Sequence, residues 1–263
     1  MKAFIYTAGK GERLGPDFGR KNKILLRFGG KSLLEWHLLR LVNAGVREVF
    51  LVTGFDRDGV LEEMDALRPR FSMSLKEIYN PQFHLGSALS LQASLPELLK
   101  TSDNLPTLLM DGDVLYPVGM LEKLLEGDAQ ANLLVDQRYS LADDDPVLVP
   151  MDAQGKPFEF VKGWKGESAS IGESVGFFCL KSPCFKALAG ITEKICSQPN
   201  TVEPYEEILR EMVLEGSFSA IDITGIPWTE IDFPKDILFA ENEVLPAMEK
   251  WEVRCRDRAA NAM

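Results

Sequence analysis

Two short runs of this chain place residue types at spacings that suit phosphate and metal chemistry. The first is Thr7-Ala8-Gly9-Lys10-Gly11-Glu12-Arg13-Leu14-Gly15, which follows directly on the apolar segment 2–7. Small residues at Ala8, Gly9 and Gly11 let backbone N–H groups approach a ligand closely, while Lys10 and Arg13 supply positive charge. A phosphate is the natural occupant. Two familiar nucleotide loops fail on spacing. GxGxxG needs glycine where Leu14 stands, and GxxxxGK[ST] ending at Gly30-Lys31-Ser32 needs glycine where Leu25 stands. The second run is Leu109-Met110-Asp111-Gly112-Asp113, two acids closing a strand-like segment. Their hard oxygens suit Mg²⁺, although acids at strand ends also serve simply to cap the next helix.

The charge distribution favours a small anionic ligand over a large one. With 29 Lys plus Arg against 40 Asp plus Glu, the net charge of −11 repels nucleic acid and anionic lipid at long range. Residues 1–27 run against this balance: Lys2, Lys10, Arg13, Arg20, Lys21, Lys23 and Arg27 face only Glu12 and Asp17. Cys179, Cys184, Cys196 and Cys255 form no CxxC pair and have no histidine at ligand spacing, so reduced thiols in a cytoplasmic protein are expected. No stretch reaches the ~20 apolar residues of a membrane helix, and MKAFIYTAGKG lacks the apolar core and cleavage site of a signal peptide. Neither membrane insertion nor secretion is expected.

The elements that position these runs follow from periodicity. β-branched and aromatic segments near 2–7, 47–53, 73–79, 105–111 and 130–136 alternate with helical periods near 32–44, 57–67, 86–99 and 117–126, which predicts a Rossmann-like α/β fold with a mostly parallel sheet. Ser32 and Glu35 form an S-x-x-E capping box ahead of the first helix, Gly29-Gly30 reads as a tight turn before it, and Gly45 stops it. After residue 137 the rhythm changes to two short strands around a turn at 153–157 and a further strand through 174–181, a small β-rich cap. Helices near 183–196 and 204–216 follow, then a strand at 218–223 and a helical region from Pro234 that Pro246 breaks in two. No repeat or linker marks a second domain, so residues 1–263 are expected to form one.

The opening strand, the TAGKGERLG loop, Lys23 ahead of Ile24-Leu25-Leu26, and Gly30-Lys31-Ser32-Leu33-Leu34-Glu35 resemble, in that order, the signature of the sugar-phosphate nucleotidyltransferases. That family usually has proline before the lysine; here it is Asn22. The resemblance implies transfer of a nucleoside monophosphate from an NTP, with Lys10 and Arg13 on the triphosphate and Lys23 at the α-phosphoryl group. Thr7, Ala8, Gly9 and Gly11 would line the loop, and Asp111 would lie beside the nucleotide. It singles out Asp113 as a Mg²⁺ ligand. A second is implied from Trp228-Thr229-Glu230-Ile231-Asp232-Phe233-Pro234, with Asp232 first and Glu230 in reserve.

Asn80-Pro81-Gln82-Phe83-His84-Leu85-Gly86-Ser87 is similar to the pyrimidine-reading region of cytidylyltransferases for phosphocholine, aminoethylphosphonate or inositol phosphate. This implies CTP, with Asn80, Gly86 and Ser87 at the base. Ser87 also suits a helix cap. On the acceptor side Glu173 and Lys162 match by position, while Tyr205, Glu206 and Trp228, with Glu207 and Asp144, would add acids and aromatic faces for a cationic acceptor. His37 reads as packing or surface, and His84 lies near the nucleotide. The halves are then 1–136 for the nucleotide and 137–233 for the acceptor, with C-terminal helices over 234–263; a homodimer is compatible with this. An inositol- or sugar-1-phosphate acceptor, a metal-dependent glycosyltransferase and an inactive regulatory homologue are the alternatives.

Overall fold

The computed structural model describes residues 1–15, 21–100, 105–138, 145–198 and 202–261. Among them, nine strands form one sheet: β1 (Lys2–Tyr6), β2 (Glu48–Thr53), β3 (Ser74–Tyr79), β4 (Thr107–Asp111), β5 (Ala131–Asp136), β6 (Val147–Met151), β7 (Val161–Lys162), β8 (Ser170–Leu180) and β9 (Phe218–Asp222). β3-β2-β1-β4 form a parallel run built from the first 111 residues. β8 lies antiparallel to β4 and joins it to β5 and β6, and β9 pairs parallel with β5. The β-rich stretch of the second half is therefore connected edge-on through β8, with β7 on β6 at its outer margin.

Alternate residues along these strands feed two cores. Ala3, Ile5, Leu108 and Met110 face one, Phe4 and Leu109 the other. Strands covered on both faces read as continuous apolar runs, and this is why they were visible in the sequence. Helices α1 (Leu33–Asn43), α2 (Arg57–Leu67) and α4 (Met120–Glu126) bury side chains in the first core. Helices α3 (Ala88–Leu98), α5 (Pro183–Cys196) and α6 (Glu206–Leu214) cover the second.

Local chemistry sets the helix ends. Gly29 and Gly30, both at positive φ (56° and 81°), form the two-residue turn before α1. Ser32 Oγ accepts from the Glu35 N–H at 3.1 Å, but the reciprocal half of the expected box is absent, because the Glu35 carboxylate accepts from Arg70 at 2.6 Å. Gly45, at φ 79°, ends the helix as the Val46 N–H returns to Leu41 O at 2.9 Å. Ser87 does not cap α3: its own backbone is helical and its Oγ accepts from the Tyr205 N–H. Nor does Pro246 split the last region. α7 (Pro234–Phe239) runs through a π turn over Ala240–Val244 into α8 (Leu245–Asn261), leaving Pro246 near the start of the new helix.

His37 is packing, not surface. It is fully buried, with Nε2 3.3 Å from Gly112 O and Nδ1 3.2 Å from Tyr116 Oη. A carbonyl only accepts, so Nε2 carries the proton and Nδ1 accepts from tyrosine. Burial pushes its pKa from 6.5 down to about 4, against the favourable Gly112 carbonyl. Protons therefore bind the unfolded chain first, and the stability contributed by neutral His37 is lost as pH falls through 6.5 toward 4. Asp111 and Glu230, whose carboxyls are raised by burial, act in the opposite sense. Urea unfolding of the parent and His37→Gln at pH 8 and pH 5 isolates the histidine: the parent is expected to lose about 2 kcal/mol more than the variant. Equal losses would contradict the assignment.

Candidate active site

The carboxyl ends of β1, β2, β3 and β4 converge on one edge, where open α/β sheets bind ligands. The chain leaves β1 at Thr7, whose N–H and hydroxyl both reach Val52 O, at 2.9 and 3.0 Å. Gly11 turns the loop at φ 62°. A Cβ there would lie 3.0 Å from Lys23 Cγ, so the glycine also admits the lysine.

Asn22, where the family resemblance leads to an expectation of proline, takes φ −64° and ψ 138°, a backbone that proline also adopts. Its side chain ties the region together. Nδ2 donates to Thr7 O and to Phe55 O, the latter at 3.0 Å, and Oδ1 accepts from the Ile24 N–H at 3.1 Å. Its own N–H donates to Asp56 Oδ2 at 3.0 Å. These bonds fix the short helical turn Lys23–Leu25 and the lysine that opens it.

A two-residue antiparallel ladder brings in the second acidic segment. Thr229 pairs with Leu115 and Glu230 with Val114, and the Ile231 N–H reaches Asp113 O at 2.9 Å. Asp113, Glu230 and Asp232 then offer oxygens that all lie within 4.8 Å of one another, a group able to hold a cation. Lys23 Nζ bridges them, 2.8 Å from Asp113 Oδ2 and hydrogen-bonded to Asp232, while Arg13 reaches Asp232 Oδ2 at 2.8 Å. Burial opposes the Lys23 charge, yet Asp113 and Asp232 outweigh it and hold the ammonium above its ordinary range. Burial, then repulsion from Asp113 and Asp232, drives Glu230 well above the usual carboxylate range.

This cluster separates two cavities. One, of about 550 Å³, is lined by Thr7 to Arg13 at one end, by Phe83, His84, Gly86, Ser87 and Ser90 at the other, and by Lys23, Asp111, Asp113 and Glu230. The second, of about 300 Å³, is lined by Asp136, Asp145, Glu173, Trp228, Glu230 and Asp232. A space of about 60 Å³ beside Lys162, Arg13 and Glu206 connects their walls.

The other expected site residues are distributed around these cavities. Asn80 is buried behind the base end of the larger cavity, donating to Ser90 Oγ at 3.0 Å and accepting from the Gln82 N–H at 2.9 Å. Tyr205 and Glu206 line the larger cavity rather than the smaller one. Tyr205 Oη donates to the Asp111 carboxylate, 2.7 and 2.8 Å from its two oxygens. Burial first, then Asp113 and Glu206, raises Asp111 well above its normal range. Lys162 is exposed and paired with Asp145 at 2.5 Å. Trp228 Nε1 donates to Asp136 at 3.0 Å. Asp136, the last residue of β5, went unread in the sequence although it ends a strand at the same edge as Asp111. Asp144 lies outside the described residues.

The pattern of the MobA-like NTP transferase domain matches residues 3–194. The chain belongs to that family. Among its relatives, the bifunctional protein GlmU of Methanococcus maripaludis is 24% identical over 246 residues, which make up 93% of this chain and 54% of that protein. The CMP-5'-(3-aminopropyl)phosphonate synthase of Streptomyces rubellomurinus is 24% identical over 264 residues, covering 96% of this chain and 40% of its own. The chain thus spans about half the length of curated relatives it matches. The fold is that of the inositol-1-phosphate CTP transferase from T. maritima, with TM-score 0.75, 23% identity and 95% of each chain covered. No helix among the described residues is long and apolar enough to cross a membrane.

The proline-compatible backbone at Asn22 would suggest that Asn22→Pro is harmless. The four hydrogen bonds of Asn22 argue otherwise: Asn22→Pro is expected to cost about 3 kcal/mol or more, because it strands the Thr7 and Phe55 carbonyls and removes an N–H. Urea denaturation checks this, and parent-like stability would sink it.

Proposed function

We propose that the chain transfers a cytidylyl group from CTP to a small phosphonate or phosphate acceptor and releases pyrophosphate. One observation carries the reading: a basic glycine loop lines a cavity of about 550 Å³, in the range of ligand pockets, and an acid cluster able to hold a cation lies between it and a smaller one of about 300 Å³. Residues 1–136 then supply most of the nucleotide site and 137–233 most of the acceptor site, within a single domain, with Asp136, Tyr205 and Glu206 crossing that division.

On this reading Thr7, Ala8, Gly9 and Gly11 present backbone to the triphosphate, and Lys10 and Arg13 present charge. Gly86, Ser87 and Asp111 flank the cytidine. Asp113 and Asp232, with Glu230, fit Mg²⁺ by their hard oxygens and their mutual repulsion. When bound, the ion neutralises charge on phosphoryl oxygens. An acceptor phosphonate or phosphate oxygen is already anionic near neutral pH, so it needs no protein base. It forms a bond to the α-phosphorus as the bond to the bridging oxygen breaks, and pyrophosphate leaves with that electron pair. The work of the chain is alignment and charge stabilisation, and Lys23 supplies the latter at the α-phosphoryl group. His37 takes no part, since both ring nitrogens are engaged in the core.

For the acceptor, 2-aminoethylphosphonate stands ahead of phosphocholine. The smaller cavity combines Asp136 and Glu173 with the face of Trp228, and Lys162 stands at its margin for the acceptor phosphate. Carboxylates and aromatic faces suit an ammonium. The S. rubellomurinus relative, named for a CMP-linked aminoalkyl phosphonate, supports the same choice. An inositol- or sugar-1-phosphate acceptor is the second reading, favoured by the name of the T. maritima structure and by the ability of carboxylates to accept from hydroxyls.

A panel of four NTPs against phosphorylated and phosphonate acceptors, read by pyrophosphate release, tests the proposal directly. CTP with 2-aminoethylphosphonate should give the highest kcat/KM; a higher value with UTP or ATP would refute the cytidylyl assignment. Asp113→Ala and Asp232→Ala should each lower turnover by orders of magnitude, and EDTA should abolish activity until Mg²⁺ is restored. Full activity of both variants in EDTA ends the metal assignment. Lys23→Ala should depress kcat, whereas Arg13→Ala should also raise the KM for nucleotide. A wild-type kcat for Lys23→Ala would remove that residue from the mechanism.

A further inference from the structure

Glu206 opens α6 and lines the larger cavity, and its Oε2 is enclosed with no hydrogen-bond partner among the described residues. A desolvated carboxylate oxygen without a donor is costly, and mutation or a ligand donor is the usual way such a cost is removed. Burial raises the group's pKa accordingly. Its surroundings are otherwise well ordered by bonds. The Ala88 N–H donates to Glu203 O at 3.1 Å, the Tyr205 N–H to Ser87 Oγ at 2.8 Å, and Tyr205 Oη to Asp111. The Tyr205 ring stacks on Tyr6 with centroids 5.5 Å apart. Residues 203–206 are therefore fastened to the base end of the cavity on one side and to the acid-bearing end of β4 on the other.

The cavity runs from the basic loop to Gly86 and Ser87, and Glu206 stands along its wall with Asp111. In a nucleotide laid along that path the sugar joins the two ends. Asp111 shares the single Tyr205 Oη proton between its oxygens, whereas Glu206 Oε2 has no donor at all, which makes Glu206 the carboxylate on this wall that most needs a sugar hydroxyl. Rotation about its terminal torsion, which is broad for glutamate, turns the oxygen into the cavity.

We propose that Glu206 reads the ribose of the bound nucleotide, accepting from its 2'- or 3'-hydroxyl, and does not contact the transfer acceptor. This rests on the nucleotidyltransferase reading but not on the choice of CTP. The test is calorimetric titration, with Mg²⁺ present, of whichever of the four NTPs binds most tightly and of its 2'-deoxy and 3'-deoxy forms. Parent, Glu206→Gln and Glu206→Ala are compared. The parent should bind the ribonucleotide about tenfold or more tightly than one deoxy form, as a hydrogen bond to a charged group implies. Glu206→Ala should bring the two within about twofold, and Glu206→Gln, which still accepts, should keep part of the ratio. Because the variants remove a buried carboxylate oxygen that has no donor, their Tm should not fall below the parent's. An unchanged ribo-to-deoxy ratio in Glu206→Ala, or a parent that ignores the sugar hydroxyls, overturns the inference while leaving nucleotide binding intact. A change confined to the acceptor KM also overturns it. If no NTP binds the parent, the nucleotidyltransferase reading falls and takes this one with it.

Discussion

Three carboxylates within 4.8 Å of one another repel, and the rest of the site is arranged around that repulsion. Lys23, with a side chain only 12% exposed, sits between two of them, and Arg13 approaches from the loop side. Neither cation would hold its place without backbone work elsewhere. Gly11 leaves the room that the Lys23 stem occupies, and Asn22 anchors the turn that aims it. Asp236 holds the other end, accepting from the Asp232 and Phe233 N–H groups at 2.9 and 2.7 Å. Like charges at such range are tolerated only where a cation is close, and here Lys23 and Arg13 fill that need.

The sheet supplies the geometry that makes the cluster useful. β8 lies between β4 and β5 and carries a register shift between Ser174 and Phe178. Gly176 sits in that irregularity at φ 76°, and a Cβ there would fall 2.0 Å from Asp111 Oδ2. The missing side chain thus lets the antiparallel strand pass the carboxylate while Tyr205 holds it from the other side. The parallel strands of the first half and the antiparallel strands of the second meet at this point, and the two cavities share a wall at Glu230.

Much of this was legible before any coordinates. Strands buried on both faces announce themselves as apolar runs, and β1 to β5 fall close to the segments read from sequence. The loop Thr7–Gly15 and the acids Asp111 and Asp113 were legible because their chemistry is local. What escaped depends on partners distant in the chain. Tyr205 and Glu206 read as acceptor residues because nothing in Pro204-Tyr205-Glu206-Glu207 reveals that Ser87 and Asp111 bind Tyr205 and carry both residues to the wall of the larger cavity. Half of the box at Ser32 was lost to Arg70, a competitor no local pattern contains. Pro246 misled because a π turn, which has no simple sequence signal, carries the helix up to it.

The two-residue ladder between Val114-Leu115 and Thr229-Glu230 has a bearing on how the molecule comes into being. Closing so long a stretch of chain for so few backbone bonds is entropically unfavourable until the intervening strands have docked. The acid cluster therefore depends on the sheet: Asp113, Glu230 and Asp232 come together only where the late segment has paired with the early one, so the cluster exists only in a chain whose first and second halves have joined.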